Sequence, residues 1–197
     1  DGIVYLAASK DAGASMKDPI RYSRNNLQAT LSFFDAAIDC GVKYVIFSSS
    51  AAVFGESQYL PLDEEHPKDP TNYYGFTKLE TERVLAWYDK LLGLKSASLR
   101  YFNAAGYDPE GKVTGLESNP ANLIPVVMEV ACGVRKGMQV FGTDWKTKDG
   151  TCLRDYIHVT DLADAHLRAL DHLAKGGATF AVNLGTGSGH SVLEVIQ

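Results

Sequence analysis

The sequence predicts an α/β fold: a doubly wound parallel sheet, followed by part of a smaller second domain. Three observations indicate this architecture. Short, almost wholly apolar runs of strand length alternate with segments of helical period along the 197 residues. Small or polar residues follow three of these runs, and beyond Asn103 the chain becomes rich in Gly, Asp, Asn and Pro. Apolar strands that alternate with helices are typical of a parallel sheet covered on both faces.

The predicted sheet elements lie mainly in the first half of the chain. The runs IVYLA, KYVIFS and ASLRYF are mostly apolar and contain the β-branched and aromatic residues that strands favour. The segments between them carry apolar residues at helical spacing. In order, the predicted elements are a strand at 3–7, a mostly helical segment at 19–40, a strand at 43–48, a helix at 73–92 and a strand at 97–102.

The second half opens with a loop and returns to alternating strands and helices near residue 154. The predicted elements are a loop at 104–120, a helix at 122–132, short strands at 139–141 and 154–158, a helix at 160–173 and a strand at 179–184. A last helix begins at Ser191, which has Glu194 at capping-box spacing. We expect one domain at 1–103 and a second, partial domain at 104–197, with 154–184 packing back toward the sheet.

Charge and composition argue against several classes of function. The formal net charge is −5 and the pI is about 5.5, which gives no basic field for a phosphate backbone. The longest apolar stretch, 123–134, contains Glu129 and is shorter than the roughly 20 residues that cross a bilayer. We therefore expect neither a nucleic-acid partner nor a membrane span.

The cysteines predict the cellular location of the protein, and the first residues predict that the chain is part of a longer one. Cys40, Cys132 and Cys152 are odd in number and widely separated, which favours reduced thiols in a cytoplasmic protein. They lie among apolar residues, so we expect them to be small buried side chains. The chain starts without an initiator Met or a basic segment and enters a strand at once, so we expect a piece of a longer protein.

A tyrosine and a lysine at the start of the helix at 73–92 are the candidate chemical pair. Tyr74 and Lys78 are four residues apart, which places both on one helix face. A nearby ammonium favours the phenolate and so lowers the pKa of a phenol toward the range of a useful base. The same spacing also occurs on exposed helix faces. A catalytic reading is favoured because ligands lie beyond the carboxyl ends of such strands, where Ser50 offers a second hydroxyl.

Four motifs carry a family resemblance. YxxxK at 74–78, SSSA at 48–51 and RYFNAAG at 100–106 resemble the extended short-chain dehydrogenase/reductase family. DGTCLRDYIHVTDLADAH at 149–166 narrows the resemblance to the UDP-glucose 4-epimerases, and it extends over essentially the whole chain. The resemblance implies a Rossmann-like NAD-binding domain without its N-terminal βαβ units, a partial UDP-sugar domain, and a homodimer for the full-length protein. The implied reaction is reversible epimerisation at C4 of a UDP-hexose through a 4-keto sugar, with bound NAD.

The resemblance also implies roles for individual residues. Tyr74 would be the base for the sugar 4-hydroxyl, with Lys78 and Ser50 as its partners. Arg154 would pair with phosphate, which suits a guanidinium, although a structural ion pair with Asp155 or another acid is an alternative. The positions that match cofactor-contacting residues are Lys10, Asn25, Ser48, Tyr74, Lys78 and Tyr101. Those that match substrate-contacting residues are Ser50, Asn103, Asn122, Leu123, Phe141, Arg154 and Tyr156.

The sequence departs from the family pattern in three ways. No Gly-rich strand-turn-helix of the dinucleotide-binding type is present, and the Gly-rich run at 185–189 follows a late strand instead. The chain stops at Gln197, before the last phosphate-binding positions of the family. Ala52, Phe54 and Tyr5 replace the Thr, Tyr and His that are frequent there. We therefore expect this piece by itself to retain little NAD and, with an open sheet edge, to aggregate.

Other activities compete with this one. A nucleotide-sugar 4,6-dehydratase needs an acid pair after the strand-end hydroxyl, but Ala51 and Ala52 follow Ser50. No GxSxG elbow supports a serine hydrolase. The histidines and aspartates near 158–190 lack metal-site spacing, so we expect no metal. A 4-epimerase for a UDP-pentose or a UDP-N-acetylhexosamine remains an alternative, as does an inactive binding module.

Overall fold

The structure, a computed structural model, describes residues 1–115, 117 and 120–197. The chain divides into two compact units. The first comprises Asp1–Phe102 and Leu162–Leu184, and the second comprises Asn103–Asp161 and Gly185–Gln197.

Short strands and helices alternate along the described chain. The strands are β1 (Gly2–Tyr5), β2 (Tyr44–Ser50), β3 (Lys95–Tyr101), β4 (Asn103–Ala105), β5 (Leu153–His158), β6 (Phe180–Leu184) and β7 (Gly189–Ser191). The α-helices are α1 (Ala12–Lys17), α2 (Pro19–Tyr22), α3 (Ala29–Asp39), α4 (Tyr73–Leu92), α5 (Leu123–Ala131), α6 (Val159–Ala174) and α7 (Val192–Ile196). A π-helical segment, Ser23–Gln28, joins α2 to α3, and a 3-10 turn, Ala51–Val53, follows β2.

The first unit is built on a parallel sheet with the strand order β1-β2-β3-β6 in the described part of the chain. Successive residues of a strand point to opposite faces, so each face has its own core. One face packs on α3 and α4, and its buried apolar residues are Tyr5, Phe34, Val45, Phe47, Leu85 and Leu94. The other packs on α6, and its buried apolar residues are Ile46, Ala97, Leu99, Ala169 and Leu173. The predicted doubly wound, Rossmann-like α/β fold is confirmed.

The second unit contains a smaller mixed sheet. Strand β5 pairs in parallel with β4 and antiparallel with β7. Helix α7 follows β7 at once, and the predicted capping box is confirmed: Ser191 Oγ accepts from Glu194 N, and Ser191 N donates to the Glu194 carboxylate. Among the described residues of this unit, Ile157, 6% exposed, is the buried large apolar side chain.

Most predicted elements agree with the structure, but the short elements α1, β4 and β7 were not predicted, and β4 lies partly within the predicted loop at 104–120. Two predicted elements also differ from the structure. The strand expected at 139–141 is wrong: this segment has irregular backbone, Phe141 is 80% exposed, and Gly142 follows with a φ of 80°. A strand needs a neighbouring strand for its backbone hydrogen bonds, and the described residues provide none here. The helix expected at 19–40 is interrupted by the π-helical segment Ser23–Gln28.

The prediction that the cysteines are buried is wrong. Cys40 and Cys132 are exposed, and Cys152 is partly buried. The first two occupy the C-cap positions of α3 and α5, and each is followed by a glycine with positive φ, Gly41 or Gly133. A chain that turns away from a helix end in this manner does so at the surface, which exposes the cap residue.

Within the described residues, no helix combines the length and the apolar character needed to cross a bilayer.

Candidate active site

The start of α4 is held against the turn that follows β2. The Asn72 side chain caps the helix by accepting from Gly75 N at 2.8 Å. Gly75 lies so close to this turn that a Cβ there would be 2.4 Å from Ala52 O. Ser15 Oγ also accepts from Tyr74 N at 3.0 Å. These contacts bring Tyr74, in the first turn of α4, close to Ser50 at the end of β2.

Lys78 is buried beside the end of β2. Only 4% of this residue is exposed, and its Nζ donates to Ser48 O at 2.6 Å. The same atom lies 4.8 Å from the centre of the Phe47 ring and 5.7 Å from the centre of the Tyr74 ring. Burial lowers the pKa of Lys78 to about 8, and the Glu82 carboxylate opposes this effect. At neutral pH the site therefore holds a buried ammonium one helical turn from the phenol.

Tyr74 does not have the lowered pKa that its spacing to Lys78 predicts. Burial raises the pKa of Tyr74 to about 12, and the nearby Ser50 hydroxyl opposes this rise only in part. Desolvation disfavours the phenolate more strongly than the neighbouring groups favour it. The tuning role of Lys78 therefore stays a prediction, and the predicted neighbours of Tyr74, Ser50 and Lys78, are the ones found beside it.

Two more predicted residues lie at the carboxyl ends of β2 and β3. Tyr101 is paired in register with Ser50, and burial raises its pKa. The Ser48 hydroxyl lies close enough to Tyr101 to oppose that rise. Yet Ser48 Oγ is buried and makes no hydrogen bond of good geometry within the described chain. It is thus a buried polar atom whose hydrogen-bonding capacity is largely unused.

Asn25 contacts Ser9, the residue before Lys10, but the more buried neighbour of Asn25 was missed. Asn25 Nδ2 donates to Ser9 Oγ at 3.1 Å, next to the exposed Lys10. Asn26 is buried; it accepts from Ser9 N at 2.8 Å and donates to Thr77 Oγ1 at 3.2 Å. It thereby ties the loop after β1 to α4. Asn26 lies in the π-helical segment, and such segments often occur at functional sites. No sequence pattern predicted this segment, so Asn26 could not be identified from the sequence.

In the second unit, five predicted substrate residues line one cavity of about 240 Å³. They are Asn103, Asn122, Leu123, Arg154 and Tyr156. Strands β4 and β5 position three of them: Asn103 is in register with Tyr156, and its Nδ2 donates to Asp155 O at 2.9 Å. Phe141, the sixth predicted residue of this unit, does not line the cavity.

The cavity has two features that favour an anion. Arg154 brings a guanidinium, whose Nη1 donates to Leu153 O at 2.8 Å. The first turn of α5 also lines it, and within the described residues the Asn122 side chain makes no capping hydrogen bond there. Because Pro125 has no N–H, the backbone donors of this turn that could meet an anion are those of Leu123 and Ile124. The alternative ion pair between Arg154 and Asp155 is absent among the described residues. The Asp155 carboxylate accepts instead from Thr186 N and Gly187 N, each at 2.9 Å.

The histidines of the second half have structural contacts. His158 Nδ1 lies 2.7 Å from Thr160 Oγ1, and His166 Nδ1 donates to Leu162 O at 2.7 Å. Across the described residues, no group of three or more His, Cys, Asp or Glu side chains is arranged to hold a metal ion.

Known proteins similar to this chain agree with its fold. The chain is 47% identical over 194 residues to a UDP-glucose 4-epimerase of Rhizobium leguminosarum bv. trifolii, which covers 98% of this chain and 59% of the relative. The structure of UDP-glucose 4-epimerase from Brucella ovis in complex with NAD has a TM-score of 0.96 and 45% identity, covering 100% of this chain and 60% of that one. The Bifidobacterium longum enzyme in complex with NAD⁺ and UDP has a TM-score of 0.92 and 43% identity, covering 98% and 58%.

The chain thus spans about three fifths of the length of these relatives. A sequence profile of the NAD dependent epimerase/dehydratase family matches residues 1–185, which is most of the chain. The fold, the position of Tyr74 and Lys78 on α4, and this match agree: the chain belongs to the NAD dependent epimerase/dehydratase family.

Proposed function

We propose that this protein interconverts UDP-glucose and UDP-galactose by epimerisation at C4, with bound NAD, and so acts in galactose metabolism. One observation carries the proposal: Tyr74 lies beside the buried ammonium of Lys78 and the hydroxyl of Ser50 at the carboxyl end of β2. A phenol placed between a cation and a second hydroxyl is suited to move the proton of an alcohol. The names of the similar enzymes support the same reaction.

The residues present fit NAD on the cofactor side. Ser48 Oγ is a buried polar atom with hydrogen-bonding capacity left, at the edge of the sheet where dinucleotides bind. An ammonium has three donors, and the recorded hydrogen bond of Lys78 uses one, to Ser48 O. In the proposal Lys78 holds ribose hydroxyls, while Ser48, Tyr101, Asn25 and Lys10 line the same side. When bound, NAD would take up and return a hydride and bring a positive ring that favours the phenolate of Tyr74.

The chain's own part in the chemistry is proton transfer. Tyr74 Oη takes the proton of the sugar 4-hydroxyl and later returns it to the oxygen of the 4-keto sugar. Ser50 hydrogen-bonds the same sugar oxygen and keeps it oriented. Tyr74 is partly buried, and its desolvation raises its pKa, so a further positive charge is needed to form the base.

We assign nucleotide binding to the second unit. Arg154 and the N-terminal turn of α5 would bind the diphosphate together with Asn103, because both features favour negative charge. Tyr156, Leu123 and Asn122 would lie beside the nucleotide. Phe141 is retained as a uridine contact only from the family resemblance, since its ring is exposed. In domain terms, we propose cofactor binding at 1–103 and substrate binding at 104–197.

The location and the oligomeric state of the protein are proposed by analogy with its family. We propose that the intact protein is a cytoplasmic homodimer. Exposed apolar residues on α3 and α4, including Phe33, Trp87 and Leu91, are compatible with a covered surface there.

The test is a substrate comparison with the intact protein. UDP-galactose, UDP-N-acetylgalactosamine and UDP-xylose are supplied separately with NAD, and the 4-epimer is measured by chromatography. We expect the highest kcat/KM for UDP-galactose. A higher value for UDP-N-acetylgalactosamine or UDP-xylose would replace the proposed substrate with that one, and conversion of none of the three would refute the epimerase function.

A further inference from the structure

A buried ionic cluster lies behind the proton-transfer pair. Glu82 is on α4, four residues after Lys78, and its carboxylate is held by side chains of two strands. Arg100 of β3 donates from Nε to Oε1 at 3.0 Å and from Nη2 to Oε2 at 2.6 Å. Ser49 of β2 donates from Oγ to Oε1 at 2.5 Å. We name these three residues, Ser49, Glu82 and Arg100, the Glu82 network.

The Glu82 network is unusually well enclosed for a charged group. The side chains of Arg100 and Glu82 are 5% and 8% exposed, and Ser49 is 1% exposed. Ser49 and Arg100 are register partners in the sheet, so both side chains reach the same face and meet one carboxylate. A buried ion pair of this kind is weak evidence for stability, because desolvation of the two charges offsets much of their attraction. Its presence next to the site calls for another explanation.

The network also holds helix α4 in position against strand β2. Helix α4 is fixed to β2 at two successive levels: Lys78 Nζ donates to Ser48 O, and Glu82 accepts from Ser49 Oγ one helical turn further on. Two hydrogen bonds one turn apart fix both the rotation of the helix about its axis and its position along that axis. Tyr74 lies one turn before Lys78 on the same helix face. The Glu82 network therefore sets where the phenol stands relative to Ser50.

The same carboxylate also acts on the charge of Lys78. Burial disfavours the ammonium, and the negative charge of Glu82 partly offsets that effect. The other titratable groups around the pair are Tyr74 on α4, Tyr101 on β3 and Tyr22 on α2, which are neutral at pH 7, and Arg100, which is bound to Glu82. Among these described groups, Glu82 is the one that favours the charged lysine.

We propose that Glu82 is a positioning residue for the proton-transfer pair, anchored by Arg100 and Ser49 so that it fixes the turn of α4 that carries Lys78. The proposal rests on the proposed function for its kinetic readout. Its second readout, the titration of Lys78, does not need turnover.

The experiment replaces both charges of the pair in the intact protein. Glu82→Gln alone would leave Arg100 buried without a counter-ion, so the variant is Glu82→Gln with Arg100→Met, which keeps similar volumes. The matched control is Glu80→Gln with Arg83→Met, which removes an exposed Glu–Arg pair from the same helix. Each protein is examined by thermal unfolding, by steady-state kinetics, and by NMR titration of labelled lysine side chains, with Lys78 assigned from a Lys78→Met spectrum.

We expect the Glu82/Arg100 double variant to fold, to lose about tenfold in kcat with KM changed about twofold or less, and to release the Lys78 proton at a pH lower by about one unit. The control should leave all three readouts unchanged. Either a wild-type kcat or an unchanged Lys78 titration in the Glu82/Arg100 variant would overturn the proposal. If the wild-type protein converts no UDP-sugar, the proposed function fails, whereas an unchanged Lys78 midpoint still decides against the positioning role.

A milder variant covers the case in which the double variant does not fold. Ser49→Ala keeps both charges and removes one anchor of the carboxylate. We expect kcat to fall about threefold, with the Lys78 titration unchanged, because position is disturbed and charge is not. A kcat equal to that of the Glu80/Arg83 control would refute the proposal.

Discussion

Burial acts on Tyr74 and Lys78 in a consistent manner: it favours the neutral form of each side chain. The pKa of Tyr74 rises to about 12 while that of Lys78 falls to about 8. Holding the buried ammonium of Lys78 at pH 7 therefore lowers the stability of the folded chain, even though its Nζ donates to Ser48 O. Such a cost at a strand end of this fold is typical of a functional site.

Replacing Lys78 by Met should stabilise the chain at pH 7. Because the pKa of Lys78 is lower in the folded state than in the unfolded chain, its burial penalty is fully present below pH 8 and disappears as the pH approaches 10.5. We expect a gain of about 1–3 kcal/mol in the free energy of unfolding at pH 7. Urea unfolding at pH 7 and pH 10 measures it, with the exposed Lys17→Met as control. A gain that does not shrink at pH 10 would contradict the assignment.

Replacing Arg154 by Met should weaken nucleotide binding. Loss of a charge-assisted hydrogen bond to phosphate is expected to raise the KM for the UDP-sugar by about 10- to 100-fold, with a smaller effect on kcat. Lys146→Met is the control, because this lysine of the same unit is exposed and does not line the cavity. If Arg154 and Lys146 variants have the same KM, the anion site lies elsewhere.

At the scale of elements, the close packing of α4 on the turn Ala51–Val53 is what positions Tyr74 near Ser50. The Asn72 cap begins the helix, and Gly75 allows the contact with Ala52 because it has no side chain. Glycine in a helix costs about 1 kcal/mol relative to Ala, so its presence in the turn that holds Tyr74 indicates a packing requirement.

Gly75→Ala should therefore destabilise the chain although alanine is the better helix former. The added Cβ would meet Ala52 O at 2.4 Å and push α4 away from β2. We expect a loss of about 2 kcal/mol or more in unfolding free energy and a fall in kcat. The control is Gly13→Ala in α1, where the nearest atom to a Cβ lies at 3.4 Å. Thermal unfolding and activity that match those of the Gly13 variant would refute this account of α4.

At the scale of the whole molecule, the two units differ in how much apolar surface they bury. The first has cores on both faces of its sheet. In the second, Ile157 is the buried large apolar residue among those described, while Val134, Phe141 and Trp145 are exposed. Burial of apolar area is the main source of stability, so the first unit should be the more stable one.

Hydrogen exchange of the 197-residue chain should reveal this difference. After correction for intrinsic rates, amides at 45–47 and 97–99 are expected to exchange at least about 100-fold more slowly than those at 154–157. Mass spectrometry of peptic peptides measures the rates. Equal protection in both sets would show that the chain unfolds as one cooperative unit.

Local sequence patterns predicted the long helix and the central strands. The short strands and the buried contacts depend on long-range packing and were not predicted. The amphipathic period of 73–92 coincides with α4, and the apolar runs at 43–48 and 97–102 locate β2 and β3, because buried parallel strands leave a clear signal. The strands β4 and β7 have three residues each, too few for a pattern. The Glu82 network and the raised pKa of Tyr74 depend on burial, which spacing along the chain does not determine.

The central claim is that Tyr74 moves the proton of the sugar hydroxyl, and one comparison tests it directly. Conversion of UDP-galactose to UDP-glucose is measured for the intact wild-type protein and for the Tyr74→Phe and Tyr73→Phe variants. Tyr73 is a matched neighbour whose hydroxyl lies 2.7 Å from Ser23 Oγ. We predict that Tyr74→Phe lowers kcat at least about 100-fold and that Tyr73→Phe stays within about threefold of wild type. Equal loss in both variants, or full activity in Tyr74→Phe, would contradict the claim.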